Sequence, residues 1–215
     1  MISIDSLSFS YNCNKNYLLK DINLNIKSGS YISIIGENGS GKTTLIKLIL
    51  NLIKPSKGSI SLSSKNISYV PQRITNLNAG FPITVYEVLD VHRKVLKIKD
   101  KDCIINALKS VNMYNFKDCL IGSLSGGQQQ KILIARAIIS KSDLIILDEP
   151  STALDEQSTK DLYSIITKLN KEESVTILSI EHNIKLAIKN SSHILYVKDG
   201  NALLHSTNDN LDFLS

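Results

Sequence analysis

Three stretches of this chain carry residues whose types and spacing suit phosphate chemistry. The first is Gly36-Glu37-Asn38-Gly39-Ser40-Gly41-Lys42-Thr43, which matches the phosphate-loop pattern GxxxxGK[ST]. Its glycines let backbone N–H groups turn inward around phosphate oxygens, and a helix starting at Lys42 aims its positive end at the same anion. Lys42 is suited to neutralise terminal phosphates, and the Thr43 hydroxyl to ligate Mg²⁺. Asn38, Ser40 and Thr44 belong to the same candidate cradle. The second stretch, Asp143-Leu144-Ile145-Ile146-Leu147-Asp148-Glu149, is an apolar run ending in two carboxylates. Asp148 is suited to hold hydrated Mg²⁺, and Glu149 to polarise an attacking water, a general-base role worth about 10² to 10⁴ in rate. Alone, an acidic pair after a strand is an ordinary loop; the upstream glycine loop gives it meaning. The third stretch is Leu124-Ser125-Gly126-Gly127-Gln128. A hydroxyl, two glycines and a helix dipole make an anion site there, but Ser125 is equally suited to be a helix N-cap. Capping and anion binding use the same groups, so local physics leaves both open.

The surrounding elements are legible from periodicity. Ile2–Phe9 and Leu18–Ile26 alternate apolar and polar residues, as half-buried strands do. Tyr31–Ile35 is a buried strand feeding the glycine loop, and Lys42–Ile53 has helical spacing, with Pro55 and Gly58 beyond it. Ile60–Leu62 and Ile67–Val70 are further strands. From Thr84 to Ile139 the pattern turns helical, with helices expected at Thr84–Arg93, Asp102–Ser110 and Gly127–Ile139. Strand and helix then alternate: Leu144–Leu147, Glu156–Leu169, Val175–Ile180 and Ile184–Lys189. A hairpin turning at Asp199-Gly200 joins Ile194–Val197 to Ala202–Leu204. The pattern is an α/β core interrupted by a helical insert.

Bulk properties narrow the class. The chain has 215 residues, 42% hydrophobic and 21% charged, which suits a soluble globular protein with a sizeable core. Apolar runs such as Leu144–Leu147 fall far short of the ~20 residues of a membrane helix, and Met1-Ile2-Ser3-Ile4-Asp5 lacks the features of a signal peptide. The net charge of +5 comes almost wholly from scattered lysines, Arg73, Arg93 and Arg136 being the only arginines. That distribution reads as a solvated surface, and no nucleic-acid partner is expected. Cys13, Cys103 and Cys119 show no CxxC spacing, so reduced thiols are expected rather than disulfides or a zinc site.

Taken in order, the motifs resemble the ATP-binding cassette (ABC) ATPases over essentially the whole chain. Leu124 to Gln128 is identical to that family's signature motif. The resemblance then implies further roles. Tyr11, in Phe9-Ser10-Tyr11, stands where the family stacks an aromatic ring on adenine. Gln72, in Tyr69-Val70-Pro71-Gln72, matches the Q-loop glutamine that links Mg²⁺ and the attacking water to the helical insert. Ser151-Thr152-Ala153-Leu154-Asp155 matches the D-loop, which puts Asp155 among the nucleotide-contacting residues. His182 matches the switch histidine that contacts the γ-phosphate. The implied catalytic set is Lys42, Gln72, Glu149 and His182, and the implied Mg²⁺ set is Thr43, Gln72 and Asp148. The chain departs from the family at Glu181 and Asn183, where Ser or Thr and Asp are common, and a carboxylate beside His182 is positioned to alter its orientation or pKa. Lys131 replaces a common Arg, with little consequence expected.

The implied fold is a phosphate-loop NTPase core with an antiparallel β subdomain and an inserted helical subdomain. Residues 1–215 then form one domain, with its core at 1–74 and 136–215 and its helical subdomain at 75–135. The implied mechanism pairs two chains head to tail, each ATP lying between one chain's Gly36–Thr43 loop and the other's Ser125–Gln128. A homodimer is the simpler expectation because both half-sites look complete. Other implied partners are membrane permease subunits, docked through the Q-loop and helical subdomain, and indirectly a substrate-binding protein, which places the chain on the cytoplasmic face of the membrane. Gly80-Phe81-Pro82-Ile83-Thr84-Val85-Tyr86-Glu87-Val88, with Val70-Pro71-Gln72-Arg73 before it, looks like the corresponding segment of zinc and manganese importer ATPases. It also fits a plain loop leading into an amphipathic helix. An iron-chelate, amino-acid or export system fits the same motifs. A soluble cassette ATPase of translation or DNA repair fits less well, since those usually carry two cassettes or a long insert. The signature run and the lack of a guanine-reading motif argue against a simple kinase or GTPase.

Overall fold

The computed structural model of the chain describes residues 1–11, 16–64, 66–72, 82–152, 154–209 and 211. Cys13, Arg73, Gly80, Phe81 and Ala153 lie outside the described residues. Strands β1 (Ile2–Phe9), β2 (Leu19–Ile26) and β4 (Lys57–Leu62) form an antiparallel sheet in the order β2-β1-β4. Strands β3 (Tyr31–Ile35), β5 (Ile67–Val70), β6 (Leu144–Asp148), β7 (Thr176–Ile180), β8 (His193–Lys198) and β9 (Asn201–Ser206) form the second sheet, in the order β5-β6-β7-β3-β8-β9. All its pairings are parallel except β8 with β9, the expected hairpin. Asp199 and Gly200 both have positive φ, as a two-residue turn that follows strand twist requires.

The parallel strands are buried on both faces, and successive side chains divide between two cores. Ile145, Leu147 and Ile177 face one core, with helices α4 (Gly126–Ile139) and α5 (Glu156–Glu173). Leu144, Ile146, Leu178 and Ile180 face the other, with α1 (Lys42–Ile49) and the inner face of the antiparallel sheet. Each fully buried Leu or Ile contributes about 1.5–3 kcal/mol relative to exposure.

The helical insert supplies α2 (Val85–Val95) and α3 (Asp102–Ser110), which pack on α4. Val85, Leu89, Ile104 and Leu108 belong to the same apolar cluster as Ile145 and Leu147 of the sheet, so the insert shares its core with the sheet's face. Helix α4 runs unbroken across position 135. Thr84 caps α2 in a capping box with Glu87, whose carboxylate accepts from the Thr84 N–H at 2.8 Å. The Thr84 to Glu87 run is therefore a helix-start device. A short helix, α6 (Ile184–Asn190), lies between β7 and β8.

Two helices differ in length from the sequence expectation. Helix α1 stops at Ile49, four residues before Ile53, and leaves Leu52 66% exposed. Asn51 takes a left-handed φ of 55°, and the Leu52 and Asn51 N–H groups donate to Lys47 O and Leu48 O. This is a Schellman stop with Asn in the usual glycine place, upstream of the Pro55 that the sequence suggested. Helix α5 runs on to Glu173 and ends where Ser174 turns left-handed.

Gly58 sits where β4 meets the bulge in β1. Its φ is +76°, and a Cβ there would stand 2.3 Å from Asp5 O and 2.4 Å from Ser6 O. Gly58→Ala is expected to lower stability by about 1–3 kcal/mol, read as a shift of the urea unfolding midpoint; an unchanged midpoint would contradict that close approach.

Candidate functional site

Parallel register brings the candidate residues to one edge of the sheet. Val70 lies opposite Leu147, so two residues further on Gln72 comes beside Glu149. Asp148 pairs with Ile180, which sets Glu149 near His182, and Ile34 pairs with Ile180, which sets Gly36 near the same end. The carboxyl ends of parallel strands are where α/β sheets place their ligands.

The Gly36–Thr43 loop leaves β3 and opens α1. Gly36 has a φ of +150°, and a Cβ there would clash with Val197 O at 2.1 Å, so glycine is required. Lys42 is 6% exposed, and its ammonium donates to Gly36 O at 2.7 Å and Glu37 O at 2.8 Å, spanning its own loop. Burial pushes this lysine below its ordinary pKa, and the Glu149 carboxylate draws it partly back. Side chains of Thr84, Ser125, Asp155 and Asn183 cap α2, α4, α5 and α6. Helix α1 starts on Gly41 with no capping side chain and no acidic residue in its first turn. Among the described residues, the buried Ser40 hydroxyl has no hydrogen-bond partner. These uncapped N–H groups and the orphaned hydroxyl fit a bound anion. Gly39 and Asn38 lie on the loop's outer turn, and Thr43 is exposed at the start of α1. Tyr11 packs edge-on against Phe9, and its hydroxyl meets Thr44 Oγ1 at 3.0 Å. The exposed Tyr11 ring is thereby fixed to the helix that carries Lys42.

Glu149 follows β6 in a left-handed conformation, φ 50°, which costs on the order of 1–3 kcal/mol in a non-glycine residue. Three donors converge on its carboxylate. Gln72 Nε2 donates to Oε2 at 2.6 Å, Thr152 Oγ1 donates to Oε2 at 3.2 Å, and His182 Nε2 lies 2.6 Å from Oε1. A half-open carboxylate held this way can accept a proton from water. Asp148 accepts from the Tyr69 hydroxyl at 2.7 Å; burial first, then this contact, pushes the phenol well above its ordinary pKa. Thr43, Asp148 and the Gln72 amide oxygen are hard oxygen donors of the kind Mg²⁺ takes.

The remaining predicted residues form a second cluster. Ser125 is the N-cap of α4: its Oγ accepts from Gln128 N at 3.3 Å, and Gln128 Oε1 accepts from Ser125 N at 2.9 Å. Asp155 caps α5, accepting from Ser158 N and Oγ, and these bonds hold its carboxyl below the usual range. The two caps meet, since a Cβ on Gly127 would stand 3.1 Å from Ser158 Cβ. Ser125 to Gln128 and Asp155 are thus grouped with each other.

Sequence reasoning missed Tyr69, Gln130 and the role of Thr152. Gln130 Nε2 donates to Gln72 O at 2.7 Å, holding the Q-loop backbone to α4. Nothing in Gln128-Gln129-Gln130 distinguishes it, because its partner lies 58 residues away. The departures at 181 and 183 are accounted for locally. Asn183 caps α6 through Leu186 N. Just beyond the end of β7, Glu181 turns its carboxylate inward while His182 faces out.

Residues 19–152 match the family described as "ABC transporter". A "Probable metal transport system ATP-binding protein" of Treponema pallidum is 41% identical over 204 residues, covering 94% of this chain and 85% of that protein. The "Zinc uptake system ATP-binding protein ZurA" of Listeria monocytogenes is 36% identical over 213 residues, covering 92% of this chain and 82% of that protein. Among solved structures, the dimeric post-hydrolysis state of an ATP-binding cassette bound to ADP and Pi superposes with a TM-score of 0.79 at 27% identity, covering 98% of this chain and all of that one.

The Ser125 cap gives a separate expectation. Ser125→Ala removes the acceptor for Gln128 N and is expected to cost about 0.5–2 kcal/mol in the nucleotide-free chain, measured by chemical denaturation. No loss there would show that Ser125 does not act as a cap.

Proposed function

The chain belongs to the ABC transporter family as an ATP-hydrolysing cassette, and on that premise we propose that it drives zinc or manganese import as a head-to-tail homodimer. Residues 1–215 act as one unit, with a core at 1–74 and 136–215 and a helical subdomain at 75–135 that meets the permease together with the Q-loop. The observation that carries the reading is the convergence of Gln72, Thr152 and His182 on Glu149, beside the uncapped loop at 36–43. In this reading Ser125–Gln128 serves the nucleotide of the opposite chain, so one chain's site is half built. A second chain in opposite orientation completes it.

In this reading Lys42 moves from its loop carbonyls to the terminal phosphates, and Tyr11 stacks on the base. Thr43, Asp148 and Gln72 would hold Mg²⁺, which would supply charge neutralisation at the phosphates. Glu149 takes the proton of the attacking water, and His182, while holding Glu149, contacts the γ-phosphate. The start of the partner's α4, at Ser125–Gly127, adds a second positive helix end to the same phosphate. ATP therefore favours the closed pair by its differential affinity, and hydrolysis releases it.

The metal reading rests on the relatives' names and on the length they share with this chain. No helix among the described residues is long and apolar enough to cross a membrane, so the proposed permease would bring the chain to the membrane's cytoplasmic face. In this reading the metal passes through the permease and does not bind this chain.

Glu149→Gln is expected to keep ATP binding, lower hydrolysis by about 10² to 10⁴, and accumulate ATP-bound dimers on size exclusion. Normal turnover would remove Glu149 as the base. Deleting the gene is expected to slow growth in metal-depleted medium, with recovery on added zinc or manganese. Recovery with neither would remove the metal reading.

A further inference from the structure

Behind His182 lies a buried hydrogen-bonded chain that the hydrolytic scheme leaves unused. Glu181 is only 3% exposed. Burial raises its carboxyl above the usual range, and the hydroxyls of Ser179 and Tyr163 draw it back. Its Oε1 accepts from Ser179 Oγ, and its Oε2 accepts from the Tyr163 hydroxyl at 2.6 Å. A buried carboxylate is tolerated only with such partners, so these bonds fix its place. Tyr163, on α5, is itself buried, and its oxygen lies 3.1 Å from Ser151 Oγ. Tyr163 has one proton and gives it to Glu181, so the Ser151 hydroxyl is the donor to Tyr163. The chain of donors therefore runs Ser151 to Tyr163 to Glu181.

Both ends of this chain are placed at functional segments. Glu181 is bonded to His182, whose imidazole lies 2.6 Å from Glu149. Ser151 opens the turn in which Thr152 also reaches Glu149. Leu154, and Ser158 held by Asp155 at the start of α5, back the glycines of the Ser125–Gly127 turn. A cleft of about 620 Å³, lined by Glu149, Ser151, Thr152, Leu154, Glu181 and His182, lies between the two segments. Across that gap, the hydroxyl of Tyr163 is the link that joins them from below.

We propose that Glu181 and Tyr163 are positioning residues that fix His182 relative to the 151–155 turn, and so tie each chain's hydrolytic centre to the Ser125–Gly127 turn it lends to its partner. The proposal rests on the head-to-tail reading above. With the chain intact, displacement of His182 on γ-phosphate loss is passed to Ser151 and hence to the partner's nucleotide. With the Tyr163 hydroxyl removed, the two segments are left joined through the Glu149 carboxylate alone, which Thr152 and His182 share. A physical coupling claim of this kind needs a measured interaction between its members.

The experiment uses the full chain. Tyr163→Phe and Ser151→Ala are each expected to lower kcat for ATP hydrolysis by about tenfold while KM for ATP stays within about twofold. The double variant should fall no further than the worse single one, because both cut the same chain. Phe keeps the ring that fills the core, so a purely structural role would appear as a lower melting temperature without the split between kcat and KM. Losses that multiply, or wild-type kcat in both single variants, overturn the proposal. If Tyr163→Phe does not fold, Ser151→Ala decides through the same split between kcat and KM. ATP-driven dimerisation of Glu149→Gln is measured in parallel: if it is absent, the head-to-tail reading fails and takes the proposal with it; if it is present while the kcat losses are not, only the positioning role fails.

Discussion

The register of the parallel strands is the constraint on which the rest of the structure depends. Four segments distant in sequence leave strands β5, β6, β7 and β3 at the same edge, because Val70 is opposite Leu147, Asp148 opposite Ile180, and Ile34 opposite Ile180. A slip of one residue in any pair would turn its core side chains to the other face. The same slip would carry Gln72, Glu149 or His182 away from the others. Core packing and site geometry are therefore set by one register. The alternation of Leu144 and Ile146 with Ile145 and Leu147 between two separate cores is what holds it.

On that edge the carboxylate of Glu149 gathers the site. Its left-handed backbone is costly by itself, and Gln72, Thr152 and His182 supply bonds that keep it. Each donor comes from a different segment, so the state of Glu149 depends on all of them. Gln130 extends this dependence to α4 by holding the Gln72 backbone, and α4 in turn carries Ser125 at its start and the packing of α2 and α3 along its length. The helical insert and the hydrolytic centre are thus joined by hydrogen bonds as well as by a shared apolar core.

Helix starts divide into two kinds with different chemistry. Thr84, Ser125, Asp155 and Asn183 each accept a first-turn N–H of their helices, and Asp100 accepts the Asp102 N–H at the start of α3. Helix α1 has only Gly41 and leaves its first N–H groups free for an anion. Ser125 belongs to both kinds: it caps α4 in the free chain, and its neighbours are glycines that keep the backbone approachable. A Cβ on Gly126 would meet only Leu154 at 3.8 Å. Capping and anion contact were inseparable in the sequence because they use one hydroxyl and one set of N–H groups; in the structure the Ser125 hydroxyl is engaged in the cap.

Much of this was legible before any coordinates. The alternating strands, the GxxxxGK[ST] loop between a strand and a helix, and the acidic pair after β6 follow from local periodicity and spacing, which short-range sterics and burial impose directly; Ser125 and His182 were singled out by the resemblance to the ABC ATPases. Helix ends were less legible. Asn51 ended α1 through a left-handed backbone, which competes with Pro and Gly signals a few residues on. What the amino-acid order alone determined is the set of groups and their elements: the loop, the acidic pair, the second helix start and the class of fold. Only the tertiary structure decided who touches whom. It placed Thr152 and Gln72 on Glu149, Gln130 on Gln72, Tyr69 on Asp148, and Glu181 inward on Tyr163 instead of beside His182. These contacts join residues up to 79 positions apart in the chain. Their partners are chosen by strand register and by the burial cost of unpaired polar groups, quantities that exist only once the sheet is assembled.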